Sequence, residues 1–163
     1  MSNTNQPLIE SGQIIPAFTL PGADGMTHSP WDYKQRQHLV LLFTHSTFSS
    51  ETRGLLRTFA KEYSAFREEE CSMLAISPDT VFANLHSQEE LQLPYPLLSD
   101  PKGEVISRYT QWDVTIGGLN PCIVLADRYN ALYQRWIVKS EADLPTIEKL
   151  LESLRYLNKL CTP

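Results

Sequence analysis

The run Leu39-Val40-Leu41-Leu42-Phe43 constrains this chain more than any other stretch. No charge, glycine or proline interrupts it. A short, continuous apolar run predicts a strand covered on both faces, because a strand with one wet face would alternate. It is far too short to span a bilayer. The polar stretch His45-Ser46-Thr47-Phe48-Ser49-Ser50 follows. Beyond it, Leu55, Leu56, Phe59, Ala60, Tyr63 and Phe66 recur at helical spacing. They predict an amphipathic helix over about 50–69, with Ser49 or Ser50 as N-cap and Glu51 in the first turn.

The rest of the chain repeats that alternation. Cys71–Ser77 reads as a second buried strand, closed by Pro78-Asp79-Thr80, which can cap a helix over 81–91. Residues 94–100 form a proline-flanked extended piece, and 103–112 a short helix. Residues 121–126 give a third core strand, and 131–137 its hairpin partner across Asp127-Arg128-Tyr129-Asn130. Leu144, Ile147, Leu150, Leu151, Leu154, Leu157 and Cys161 mark one face of a helix near 142–160. Upstream, Phe18–Leu20 and Met26–His28 predict two short strands joined at Asp24-Gly25, and Trp31–Gln37 holds about one helical turn. Residues 1–12 are read as a loose arm and 13–163 as a single domain. Strands that alternate with helices and end in a hairpin predict an α/β fold, a mixed central sheet with helices on both faces.

Composition narrows the function classes. At 163 residues the chain can bury roughly 70% of its unfolded surface, so it needs no metal or disulfide staple. The net charge of −5, with only 14 Lys+Arg, argues against a nucleic-acid partner, which needs a basic face. The polar opening residues carry no apolar signal core, so a cytoplasmic protein with no membrane partner is expected. The three cysteines, Cys71, Cys122 and Cys161, are far apart, and the four histidines are scattered. No metal site and no cofactor are expected from such spacing.

In an α/β sheet, ligands gather at the carboxyl ends of the strands. The turn after residue 44 is such a place, and it feeds a helix N-terminus that favours negative charge. Here the chain resembles the peroxiredoxin-like (alkyl hydroperoxide reductase/thiol-specific antioxidant, redoxin) branch of the thioredoxin superfamily. The resemblance covers about residues 11 to 161. It is carried by Ile15-Pro16-Ala17-Phe18-Thr19-Leu20 with Asp24-Gly25, and by Leu39–Phe43. It is carried further by Tyr95-Pro96-Leu97-Leu98-Ser99-Asp100-Pro101-Lys102-Gly103-Glu104-Val105 with Tyr109, and by Pro121-Cys122-Ile123-Val124-Leu125-Ala126-Asp127. It implies a thioredoxin-like fold with an N-terminal extension. It also implies thiol-dependent peroxide reduction, a thiol reductant and a homodimer.

The family signature Pro-x-x-x-Thr/Ser-x-x-Cys falls on His45 to Thr52. His45 stands at the proline, Ser49 keeps the hydroxyl, and Thr52 stands at the peroxidatic cysteine. No cysteine lies between positions 1 and 70. Peroxide reduction runs through a thiolate and a sulfenic acid, and a hydroxyl has no such reversible oxidised state. Ser49 and Thr52 therefore read first as cap and first-turn hydroxyls. The resemblance places Pro121 at the superfamily's cis-proline, which predicts a cis Asn120–Pro121 bond and puts Cys122 beside the turn. Cys161 sits in a terminal Cys-Thr-Pro tail like that of some relatives. Arg53 is the candidate for the cation that holds a thiolate in the family.

Two readings follow. One is a degenerate member that keeps the turn (Ser49, Thr52, Arg53, Pro121) for a small-molecule ligand or for regulation. The other is an active thiol oxidoreductase that uses Cys122 or Cys161. A thiol introduced by Thr52→Cys is expected to be reactive with a depressed pKa, since the dipole and free N–H groups of the helix N-terminus would remain.

Overall fold

A computed structural model describes residues 9–113 and 118–160. The centre is a five-stranded sheet made of β3 (His38–Phe43), β4 (Cys71–Ser77), β5 (Leu97–Ser99), β8 (Cys122–Ala126) and β9 (Leu132–Ile137). Its spatial order is β5-β4-β3-β8-β9, so the apolar run at 38–43 lies in the middle. β3 runs parallel to β4, and β4 to β5, while β8 and β9 are antiparallel. Every residue of β3 is buried, as expected of a strand without a wet face. Two small two-stranded ladders flank the sheet: β1 (Leu20–Pro21) with β2 (Thr27–His28), and β6 (Trp112–Asp113) with β7 (Gly118–Leu119). The first turns at Gly25, whose φ of +81° suits glycine. The second was not expected from the sequence.

Strand alternation splits the core in two. Val40, Leu42, Met73, Ala75, Ile123 and Leu125 face one side, packed against Leu56 and Phe59 of α1 (Ser50–Lys61), Phe66 of α2 (Tyr63–Glu68) and Leu150, Leu151 and Leu154 of α5 (Ile147–Leu160). Tyr133 and Trp136 pack against this same side. Leu39, Leu41, Phe43, Leu74, Ile76, Cys122 and Val124 face the other, beneath Ile15, Phe18 and α4 (Ile106–Tyr109). The crossover helix α3 (Val81–Leu91) is capped by Thr80, whose hydroxyl accepts from the Ala83 N–H at 3.2 Å. No helix among the described residues is long and apolar enough to cross a membrane.

Three expected helices are cut by local chemistry. The 50–69 helix breaks at Glu62 (φ −100°, ψ 7°) into α1 and α2, and Phe59 and Phe66 stay buried on either side of the break, with ring centroids 6.0 Å apart. The 103–112 helix shrinks to α4, because Pro101 to Gly103 form a turn and the Asp100 carboxylate accepts from the Val105 and Ile106 N–H groups at 3.0 and 2.8 Å. The last helix starts at Ile147 rather than near 142. Pro145 biases Leu144 to an extended conformation (φ −63°, ψ 152°), so Glu141–Asp143 forms a separate 3-10 turn. That turn carries the site. The Asn120–Pro121 bond is trans, not cis, since no cis bond occurs among the described residues.

Candidate active-site turn

The turn from Thr44 to Ser49 leaves the carboxyl end of β3 and enters α1. Ser49 is the N-cap: its side chain accepts from the Thr52 N–H at 3.5 Å, and its backbone is extended. Thr47 is fixed from the α3 side. The Asp79 carboxylate accepts from both its N–H and its hydroxyl at 2.7 Å, and the Ser87 hydroxyl donates to Thr47 Oγ1 at 2.9 Å. The charge-assisted bonds set the path of the turn. The sequence places Asp79 only in the segment that ends β4 and can cap the next helix.

Thr52 lies one turn into α1 and is fully buried. Its hydroxyl donates to Glu141 Oε1 at 2.6 Å. The same oxygen accepts from the His45 N–H at 3.1 Å and lies 3.4 Å from His45 Nδ1. The ring's Nε2 donates to the Leu119 carbonyl at 2.8 Å. A carbonyl can only accept, so that contact places a proton on Nε2. Nδ1 then faces the Glu141 carboxylate. The Glu141 side chain is 2% exposed, and its second oxygen, Oε2, is buried without a partner. Thr44 Oγ1 is likewise buried and unpartnered.

Glu141 was not singled out from the sequence, where it lies just before the helix expected near 142–160. The Leu144-Pro145 pair was the usable signal, because it detaches Glu141 from α5. Three sequence candidates thus meet here, His45, Ser49 and Thr52, while the Pro121 carbonyl accepts from the Val138 N–H. Arg53 turns away. Its Nη2 lies 2.8 Å from Glu90 on α3, and Nη1 donates to the Thr47 carbonyl at 3.4 Å.

Cys122 does not lie beside the turn as expected. It is at the same end of the sheet, opposite Phe43 in register, but its side chain packs on the Tyr109 face, away from α1. It is fully buried, and burial pushes its thiol up to about 12. Burial also raises the Cys71 thiol on β4, where the Sγ donates to a backbone carbonyl. Such thiols are poor nucleophiles. Cys161 lies outside the described residues.

Comparisons with known proteins agree with this architecture. The model of the AhpC/TSA family matches residues 11–135. Peroxiredoxin bcp1 of Schizosaccharomyces pombe is 33% identical over 103 residues, which are 61% of this chain and 51% of that protein. The chain thus matches about half the length of that relative. Peroxiredoxin Bcp of Bacillus subtilis is 25% identical over 134 residues, covering 78% of this chain and 85% of its own. The crystal structure of peroxidoxin BcpB from Mycobacterium tuberculosis superposes with a TM-score of 0.80 at 21% identity, covering 91% of this chain and 98% of that one. The fold is thioredoxin-like, and the chain belongs to the AhpC/TSA family.

Proposed function

We propose that this protein is a degenerate member of its family, one that keeps the redoxin fold and its turn for binding or regulation and does not reduce peroxides. The observation that carries this reading is the Thr52 hydroxyl, fully buried and committed as a donor to Glu141 at 2.6 Å. An alcohol there cannot pass through a sulfenic acid. The two described cysteines support the same reading, since both are buried with raised thiols. The family's reaction, thiol-dependent peroxide reduction in redox homeostasis, supplies the scaffold rather than the activity. A cytoplasmic homodimer, with a small-molecule ligand or protein partner at the turn, fits this reading.

The test is hydrogen peroxide consumption by the full chain with dithiothreitol as reductant. The control is a variant with Cys71, Cys122 and Cys161 changed to alanine. Equal rates for the two proteins are expected. Turnover by the parent that disappears in the Cys-less variant would overturn the reading. Single restorations would then tell Cys122 from Cys161.

A further inference from the structure

We infer that Glu141 is a built-in anion of the turn: its carboxylate, held by the Thr52 hydroxyl and the His45 N–H, sits against the side chain at the signature's cysteine position and disfavours a second negative charge there. The inference rests on the reading above, in which Thr52 stands at the signature's cysteine position. It adds a second block that is independent of the missing sulfur.

Three observations converge. The first is the placement of charge. A helix N-terminus carries about half a positive charge and four free N–H groups, and so draws an anion. Glu141 comes to this end from outside α1, across 89 residues of sequence, and bonds the Thr52 hydroxyl of its first turn. The second is burial. A carboxylate at 2% exposure is costly unless bonded, yet only Oε1 is bonded, and Oε2 has no partner. A side chain placed only to satisfy itself would use both oxygens. The third is detachment. Pro145 separates the Glu141–Asp143 turn from α5, so the carboxylate rides on its own short connector between β9 and α5.

Relative charge decides what this does to a thiol at position 52. The helix dipole offers about half a charge in favour of thiolate. The carboxylate brings a full negative charge to within hydrogen-bond distance of the same side chain. Like charge at that range disfavours ionisation, and the full charge outweighs the half. The expectation that Thr52→Cys alone yields a depressed thiol is therefore reversed. His45 is the titratable neighbour on the turn. On α1, Arg53 is turned to Glu90, and Glu51 is exposed. On the connector, Asp143 is exposed.

The experiment compares Thr52→Cys with Thr52→Cys plus Glu141→Gln, both in the full chain carrying Cys161→Ala. Cys71 and Cys122 stay, because their buried thiols are silent at moderate pH. Thiolate is read by absorbance at 240 nm against pH, which needs no access by a reagent. Thr52→Cys alone should titrate above the free-thiol value of about 8.5. Adding Glu141→Gln should lower that midpoint by about one unit or more. A midpoint below 8.5 that Glu141→Gln leaves unmoved would overturn the inference.

A second measurement needs no cysteine. Glu141→Ala should gain thermal stability from added formate, saturably and by several degrees over chloride at equal ionic strength, while the parent gains none. Equal response of the two proteins would count against a ligand role for the carboxylate. Peroxide turnover by the unmodified chain bears on the functional reading alone, and the titration bears on Glu141 alone.

Discussion

At the carboxyl end of β3, Phe43 and Thr44 leave the chain toward opposite faces of the sheet and meet opposite chemistry. Phe43 stacks on Tyr109, with ring centroids 5.0 Å apart, and lies opposite Cys122. Thr44 turns toward the α1 side, where Thr52, His45 and Glu141 share one carboxylate oxygen. The thiol thus lies where burial outweighs the Arg135 guanidinium that favours its charged form. The charge lies where the chain has no thiol. Redox chemistry of the family's kind needs both in one place. The comparison shows that the chain retains each ingredient on a separate face of the sheet.

The largest effect that probes this division is on the apolar face. Phe43→Ala would remove a fully buried ring from against Tyr109 and should cost about 3–5 kcal/mol in chemical denaturation. A loss under about 1 kcal/mol would mean that this face is loosely packed and that Cys122 is less shielded than its burial indicates. On the polar face, Glu141→Ala removes the acceptor of the Thr52 hydroxyl and the His45 N–H, and should cost about 1–3 kcal/mol. A neutral or stabilising result would mean that the orphaned Oε2 already cancels what Oε1 gains. In that case the carboxylate is kept for something other than stability.

The thiol side can be sharpened by pH. Cys122 has its folded pKa raised from 9.0 to about 12 by burial. The folded state therefore holds a proton that the unfolded chain releases above pH 9. Stability from this group is complete below pH 9 and is lost as pH rises toward 12. At pH 10 the loss should be about 1 kcal/mol relative to its neutral-pH level. Cys122→Ala should lack that increment, so the two proteins' alkaline denaturation curves converge above pH 9. Parallel curves would show that Cys122 can ionise in place and would return it to the list of usable nucleophiles.

Much of this division was legible from sequence, but not all. The apolar run at 39–43 and the Leu56, Phe59, Phe66 spacing fixed the central strand and the face of α1, because burial imposes those periods directly. Ser49 as N-cap was legible for the same local reason. The break at Glu62 was not, since no glycine or proline marks it. Cys122 was placed on the wrong face because the resemblance fixed its position along the sheet, while the side-chain direction follows from register with Phe43. Glu141 was invisible for a deeper reason. Its role depends on contact with a residue 89 positions away, and a lone glutamate in a polar stretch carries no local sign of burial.

The smallest effect is the most informative about how the polar face is built. Ser49 caps α1 through a bond of 3.5 Å to the Thr52 N–H, at the long end of the hydrogen-bond range. Replacing an N-cap serine usually costs about 1 kcal/mol. Here Glu141 already supplies negative charge at the same helix end, so the cap shares its task. Ser49→Ala should therefore cost only about 0.5 kcal/mol in the parent. In a Glu141→Ala background the same change should cost more, about 1 kcal/mol or above, because the cap then stands alone at the N-terminus. A double-mutant cycle by urea denaturation reads the coupling directly, and its sign is the result of interest. A positive coupling of a few tenths of a kcal/mol or more means that the two groups serve one helix end. Strict additivity would mean that Glu141 acts only through the Thr52 hydroxyl and His45. The carboxylate would then be a local hydrogen-bond acceptor, and the dipole of α1 would have no part in drawing it in.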